Sequence, residues 1–489
     1  MAVFKETAEV DVRERRLHSI LSYNGDAQTL IDKSKEKALT CKGRYYGQCA
    51  ACAESCAETA TCFIEDAAVI SHAPIGCCIN ASRFNIATRA VTASRGLKTQ
   101  SLKLVSSNIL EKDTVYGAAE KLRHAISEAD RRFKPKAIFI QASCASGIIG
   151  EDLESVANEE EQKLGYPIIP IYCEGFKSKV WSSGFDAAFH GILRKIVKPA
   201  KKKQADLVNV FNFVNSDTFS PLLAKLGLRV NYLAPLSSVQ GLAEMTEAAC
   251  SATICETLST YINAVLEEKY GVPEVKAPAP YGIDWTDKWL REIAKYTNKT
   301  NIVDEVIEAE HERIKPRLDV LKEKLQGKSV YVIMGDSFAH NMANIVKDLG
   351  LKIAGVTALH HDQHTDSDKQ VNTLQELVTS NGNIENFSVC NSQPYQIIKI
   401  LKKVKPDFLL IRHEHLTTLG TKLGIPTFFA GDANITVGYD GVIKLGESLY
   451  EALRTKKLID NIAEHAVLPY SDWWLDEVDD PLYFERSNK

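Results

Sequence analysis

From about residue 65 onward the chain alternates short runs of β-branched and apolar residues with longer stretches whose apolar positions recur at helical spacing. AIFIQAS (137–143) leads into Cys144, then a helical pattern EDLESVANEEEQKLG (151–165), then PIIPIYC (167–173), which predicts a strand–helix–strand unit. The series repeats. LVNVFNFV (207–214) precedes a helix ending at LGL (226–228); SVYVIMG (329–335) precedes NMANIVKDLGLKIAGV; PDFLLI (406–411) precedes a helix and then GIPTFFA. This is the pattern of parallel sheets covered by helices, and the expected fold class is α/β, with three doubly wound, mostly parallel, Rossmann-like domains. In such sheets ligands sit at the carboxyl ends of the strands, where Cys144, Gly335 and the segment from Arg412 to His415 fall.

VKPAKKKQAD (197–206) and the polar helical stretch 298–328 mark boundaries. The expected domains are 1–203, including an N-terminal extension; 204–325; and 326–489, including a C-terminal tail. A chain of 489 residues, 45% hydrophobic and 25% charged, supports that many cores. GKS (327–329) closes the second boundary, but Lys322 stands where a phosphate-binding loop needs glycine and a strand follows instead of a helix, so it is not expected to hold ATP.

A net charge of −4 argues against a nucleic-acid surface, and the run Lys201–Lys203 reads as a solvated linker. No apolar stretch is long enough to cross a bilayer, and the opening MAVFKETAEVDVRERR is too charged for a signal peptide, so a cytoplasmic protein is expected. The 12 cysteines are then free core thiols or metal ligands, not a disulfide framework.

Cys52, Cys77, Cys144 and Cys255 each stand where a strand or loop runs into a helical pattern, too far apart in sequence for a self-contained zinc knuckle. Thiolate is the soft ligand that iron–sulfur clusters take. CAACAESCAETATC (49–62) holds four cysteines, and its C-x-x-C at 49 and 52 lacks a second pair at finger spacing. In SHAPIGCC (71–78), Pro74 and Gly76 make a turn that presents Cys77 among backbone amides able to bond a cluster sulfide. Cys144 precedes GIIGEDLESV, whose glycines permit close backbone approach and whose helix start favours a thiolate.

HAPIGC, CASGIIGEDLESV and YCEGF resemble three segments of the catalytic α subunit of the nitrogenase component 1 proteins. The resemblance continues through ICETLSTYINAVLEEKYGVP (254–273), KPDFLLI, GIPTFF and VGYDG (437–441), and covers roughly residues 40–450. It implies that Cys52, Cys77 and Cys144 supply half the thiolates of an eight-iron P-cluster, [8Fe–7S]. A homologous β-type subunit would supply the rest in an α2β2 heterotetramer. Cys49 and Cys56 compete with Cys52 for the first position. Cys255 takes the place of the single cysteine ligand of a complex iron–sulfur–carbide active-site cofactor set between the domains. Cys41, Cys62, Cys250 and Cys390 read as buried free thiols.

The departures carry information too. Members that reduce dinitrogen present a glutamine and a histidine after CEGF, and in CEGFKSKVWSSGFDAAFHG (173–191) the register puts Trp181 and Phe185 there. Indole and phenyl rings cannot shuttle protons, so a more apolar pocket and another substrate are expected, with His190 the nearest imidazole. The family's histidine ligand after GIP is missing. RHEH (412–415) offers His413 and His415, of which His413 is the candidate ligand, and HHDQH (360–364) reads as a hydrogen-bonding loop cluster. Thr257 stands where an arginine is expected and GDSFAHN (335–341) replaces another basic segment, so the resemblance does not extend to homocitrate or a heterometal.

Among members that do not fix nitrogen, the chain looks most like the methylthio-alkane reductases. These cleave C–S bonds of small methylthio compounds with electrons from an ATP-hydrolysing iron protein. A cofactor-assembly scaffold, a nitrogenase with unusual cofactor ligation and a tetrapyrrole reductase are the other readings.

Overall fold

The computed structural model describes residues 22–39, 52–94, 96–178, 181–212, 217–233, 235–361, 371–390, 394–412, 415–431, 436–471, 473 and 475. These fall into two compact units, one of the described residues from 52 to 275 with 295–299, the other of 22–39, 276–294 and the described residues from 300 onward. The strands in chain order are β1 (Ser22–Gly25), β2 (Ala67–His72), β3 (Leu104–Ser106), β4 (Ala137–Ala142), β5 (Ile168–Ile171), β6 (Gln204–Phe211), β7 (Arg229–Leu233) and β8 (Ala248–Thr253). They continue as β9 (Ser329–Met334), β10 (Lys352–Ala358), β11 (Phe387–Cys390), β12 (Phe408–Ile411) and β13 (Thr427–Phe429).

The first unit holds two sheets, ordered β3-β2-β4-β5 and β7-β6-β8, and every pairing in them is parallel. β2, β4 and β5 are buried at every position, which explains their near-continuous apolar sequences: helices cover both faces, so no alternation with polar residues is needed. Helix Ala119–Phe133 meets its sheet with Leu122, Ala125, Ile126 and Ala129, an i, i+3, i+4, i+7 stripe. That stripe joins Ile138, Ile140 and Ile168 in one core, where each fully buried Ile or Leu is worth about 1.5–3 kcal/mol.

In the second unit the order is β1-β11-β10-β9-β12-β13, parallel except for β1, which runs antiparallel to β11 at the edge. Its core gathers Tyr331, Ile333, Ile397, Leu409 and Ile411. The GKS segment behaves as its sequence indicates, with Ser329 opening β9 and the Lys328 ammonium paired to Asp407 at 3.0 Å. Among the described residues no helix is long and apolar enough to cross a membrane.

Helix boundaries follow local chemistry. The pattern over 151–165 becomes helix Leu153–Leu164 because Asp152 caps it, its Oδ1 accepting from the Ser155 amide at 3.0 Å. The run 167–173 forms strand only as far as Ile171, since Cys173 and Glu174 turn in beside Cys144 and Cys52.

Candidate functional site

Three cysteines of the first unit lie close together at the carboxyl ends of its larger sheet. Cys52 is the N-cap of helix Ala53–Thr61, in extended conformation, where the Ser55 and Glu54 amides pull its pKa down against the larger effect of burial. Cys144 opens helix Cys144–Ile149 directly after β4, behind Ser143, whose side chain accepts from the Ser146 amide in a capping box and donates to the His72 carbonyl at 2.8 Å. Cys77 lies in the 3₁₀ turn Ile75–Asn80 that follows β2. All three therefore stand where a strand or loop gives way to a helical turn.

Gly175 closes this group. A β-carbon there would stand 3.0 Å from Cys52 Cβ and 3.5 Å from Cys144 Sγ, so glycine lets the backbone pass between them without a tight contact. Glu174 beside it is buried, packed on Gly147 of the Cys144 helix, and accepts from Lys177 Nζ at 2.5 Å. Cys77 bonds Glu54, whose Oε1 also accepts from Ser71 Oγ at 2.9 Å.

Burial sets the electrostatics. It pushes Cys77 up to about 12, with the Glu54 carboxyl adding to the rise, and raises Cys52 against the pull of the Ser55 amide. Without a cation the Cys77 thiol keeps its proton, and a metal must displace it to bind. Glu54 is raised to about 7 by burial and Glu58, one turn on, to about 8 by burial and then by Glu54. Neither oxygen of Glu58 has a hydrogen-bond partner among the described residues. Among those residues, no group of three or more His, Cys, Asp or Glu side chains is arranged to hold a single metal ion.

The surface beside the cysteines is apolar. Ile75 and Ile79 flank Cys77 at 63% and 78% exposure, Ile148 on the Cys144 helix is 77% exposed, and Phe176 follows Gly175 at 54%. Isoleucines so exposed, clustered around metal-binding side-chain types, are the usual mark of a surface that another chain covers.

Cys255 stands apart. It follows β8 as the N-cap of helix Glu256–Tyr270 and is 3% exposed; its amide donates to Thr253 Oγ1 at 2.9 Å, and Ser259 Oγ donates to its carbonyl at 3.0 Å. Those bonds fix the backbone at the start of the helix. Helix Ser183–Lys195 packs both on the helix begun by Cys52 and on the one begun by Cys255. It carries Phe185, buried with its ring edge-on to Phe211 at 6.0 Å, and His190, whose Nδ1 lies 2.7 Å from the Tyr261 hydroxyl. Trp181 is half-buried in the turn before it. Cys62 and Cys250 are buried and form no disulfide among the described residues. Cys41 and Cys49 lie outside the described residues, as does the side chain of Cys390.

The match to known proteins runs through the same segments. The family model described as "Nitrogenase component 1 type Oxidoreductase" matches residues 52–454. The chain belongs to that family. It is 32% identical over 315 residues to the nitrogenase molybdenum-iron protein alpha chain of Methanosarcina barkeri, covering 62% of this chain and 58% of that one. It is 26% identical to the corresponding chain of Methanothermobacter marburgensis, covering 80% and 84%. It is 27% identical to the nitrogenase iron-molybdenum cofactor biosynthesis protein NifE of Methanococcus maripaludis, covering 80% and 81%. The solved structure "Nitrogenase Cp1 at pH 6.5" superposes with a TM-score of 0.73 at 24% identity over 87% of this chain and 91% of that one, so the fold is that of nitrogenase component 1.

In the second unit, the strand ends carry a polar group that the sequence pattern alone does not assemble. Asp336, first residue of helix Asp336–Asp348, lies 3.4 Å from His361 Nδ1 and 3.8 Å from His340 Nε2, and all three are buried. His361 Nε2 reaches Ser34 Oγ at 2.7 Å, and His340 Nδ1 reaches Thr373 Oγ1 at 2.9 Å. Burial opposes ionisation of Asp336, but His361, with His340 and His360, draws it down to about 2. The D-x-x-x-H spacing of 336 and 340 was the available signal. His413 and His364 lie outside the described residues.

Proposed function

We propose that this nitrogenase-family oxidoreductase is the catalytic subunit of a nitrogenase-like reductase that cleaves C–S bonds of small methylthio-alkanes, releasing methanethiol. One observation carries the reading: a family member that keeps the three cysteines has aromatic rings at Trp181 and Phe185 in place of the glutamine and histidine of dinitrogen reducers. Phe185 is buried against Phe211, which supports a dry environment in which no side chain at that position passes protons.

Cys52, Cys77 and Cys144 fit half the ligand set of a P-cluster. Thiolate donors, helix-start amides and the close approach at Gly175 suit a bulky sulfide-containing group better than one ion. The exposed Ile75, Ile79, Ile148 and Phe176 are where a homologous β-type subunit would complete it, in an α2β2 assembly supplied with electrons by an ATP-dependent iron protein. Cys255 is the proposed anchor of a complex iron–sulfur cofactor, with His413 as its partner ligand. When bound, the cofactor supplies multi-electron reduction. The chain contributes ligation by Cys255, exclusion of water by Phe185 and the ring of Trp181, and an imidazole held in place at His190 by Tyr261.

A second reading is a cofactor-assembly scaffold, and the relatives favour giving it weight, since NifE proteins match this chain at 26–27% identity over 80% of its length. Anaerobically purified complex, given the iron protein, ATP and dimethyl sulfide or a longer methylthio-alkane, is expected to release methanethiol over many turnovers. Transfer of its cluster to another apoprotein with no methanethiol would establish the scaffold instead.

A further inference from the structure

Beside the strand ends of the second unit, Ser34, His361 and Asp336 stand in line: Ser34 Oγ lies 2.7 Å from His361 Nε2, and Asp336 Oδ1 lies 3.4 Å from His361 Nδ1. That is the order of a nucleophilic triad, but the chemistry does not follow. Ser34 is 1% exposed, so no acyl substrate reaches its oxygen, and its hydroxyl donates to the Leu30 carbonyl at 2.8 Å.

The line instead decides where the protons are. A serine hydroxyl has one hydrogen; given to Leu30, it leaves Ser34 Oγ to accept from His361, so Nε2 carries a hydrogen. Nδ1 faces a carboxylate, which accepts only, so Nδ1 carries one as well. An imidazole with hydrogen on both nitrogens is the cation. The charge balance agrees, because a buried carboxylate stays ionised when it is paired and hydrogen-bonded. Burial opposes ionisation of Asp336, and His361, then His340 and His360, hold it ionised nonetheless. His340 is not the cation: its Nε2 lies 3.8 Å from the same oxygen, and burial lowers its pKa to about 4.

We propose that His361 is a buried imidazolium paired to Asp336, and that its second N–H latches helix Ala27–Lys35 to the strand ends of this sheet in a pH-dependent way, independently of the function proposed above. Three elements meet in the link. Asp336 opens helix Asp336–Asp348, His361 follows β10, and Ser34 lies in the last turn of helix Ala27–Lys35. That helix follows β1, the antiparallel edge strand, so the imidazolium ties the edge of the sheet to the carboxyl ends of its middle strands. Among the described residues the titratable groups around the ring are Asp336 and His340 from one helix and His360 beside it. Helix Ala27–Lys35 brings the uncharged Ser34, and helix Thr373–Asn381 brings Thr373, which lies 2.9 Å from His340 Nδ1.

The sign of the pH dependence follows. An imidazole released from the latch titrates near 6.5, whereas the latched ring keeps its proton above that, so the contribution is complete below about pH 6.5 and is lost as pH rises. Once deprotonated, the ring has one N–H for two acceptors, and Ser34 must leave Leu30 to keep its bond.

Nitrogen-15 NMR of the full chain labelled at histidine tests this. At about pH 7.5, where an ordinary imidazole is neutral, one ring is expected to carry hydrogen on both nitrogens, and its signals are expected to vanish in His361→Gln. Ser34→Ala suits a helix and is expected to fold; it lowers the pH at which that ring loses its proton by about one pH unit, a tenfold change in proton affinity. Hydrogen exchange of amides 27–35 reads the latch. After correction for intrinsic exchange, their opening is expected to rise by up to about tenfold per pH unit above about 6.5, and to lose that slope in His361→Gln. A neutral His361 at pH 7.5, or a slope that His361→Gln leaves in place, would overturn the proposal. If His361→Gln does not fold, Ser34→Ala decides alone: a ring titration and an exchange slope that both stay unmoved would overturn it equally.

Discussion

Gly184 and Ala53 lie in direct contact across two helices: a β-carbon on Gly184 would meet the Ala53 carbonyl group and stand 2.9 Å from the Ala57 amide. The helix carrying Phe185 and His190 is thereby seated against the helix that Cys52 caps. A side chain at 184 must displace one of these two helices from the other.

Gly184→Ala is accordingly expected to destabilise the protein by about 1–3 kcal/mol, the range for overpacking a tight contact. A fall in melting temperature on thermal denaturation checks it. Iron retained by the anaerobically purified variant is expected to fall along with it, since Cys52 caps one of the two helices. A variant as stable as the unaltered chain would show that the two helices slide apart without cost.

Glu58 makes stability depend on pH in a direction opposite to most carboxylates. Its pKa is raised from 4.5 to about 8, by burial first and then by the neighbouring Glu54. Below 4.5 both folded and unfolded forms carry the proton. As pH rises from 4.5 to 8 the unfolded chain releases it and the folded one does not, so stability is lost across that window. Glu58→Gln removes the titration. It is expected to stabilise the metal-free protein at pH 8, on the order of a few kcal/mol, and to change little at pH 4.5. Urea denaturation at the two pH values measures the difference, and an equal effect at both would contradict the raised value.

The bond between His190 and Tyr261 joins the Phe185 helix to the helix of Cys255, and both side chains are buried. Tyr261→Phe keeps the volume but leaves the imidazole nitrogen without that hydroxyl, a loss of about 1–3 kcal/mol. Chemical denaturation reads the stability term. A positioning role for His190 adds a second signature, a shift in the pH profile of turnover that His190→Phe does not show. A stability loss with an unmoved profile would make the pair purely structural.

The parallel sheets were legible in sequence because their strands are buried on both faces: AIFIQA and SVYVIM read as near-continuous apolar runs, and β4 and β9 form there. β1 was not, since SYNG is short and polar and becomes a strand only by pairing with β11. The cysteines could be picked out because each ends a strand or loop and begins a helix, a local property. The convergence of Cys52 and Cys144 on Gly175 is tertiary and leaves no periodic trace. Glu54 and Glu58 were missed for a related reason. In AESCAETAT two glutamates a turn apart look like a solvated face, and only the packing of Gly184 and its helix reveals that this face is buried.

Cys255 is separate from the other three, and that separation makes it testable. Its backbone is fixed by Thr253 and Ser259 through groups that do not involve the sulfur, and the thiol is 3% exposed. Cys255→Ala thus removes the proposed ligand while leaving the cap and the helix intact, with a stability cost of the order of 1 kcal/mol for the buried sulfur. The variant is expected to fold, to keep the iron bound through Cys52, Cys77 and Cys144, and to lose the remainder. Iron content, together with electron paramagnetic resonance of the purified complex, separates the two populations. Loss of all iron would mean that the two sites are not independent, and retention of all of it would remove Cys255 from the ligand set.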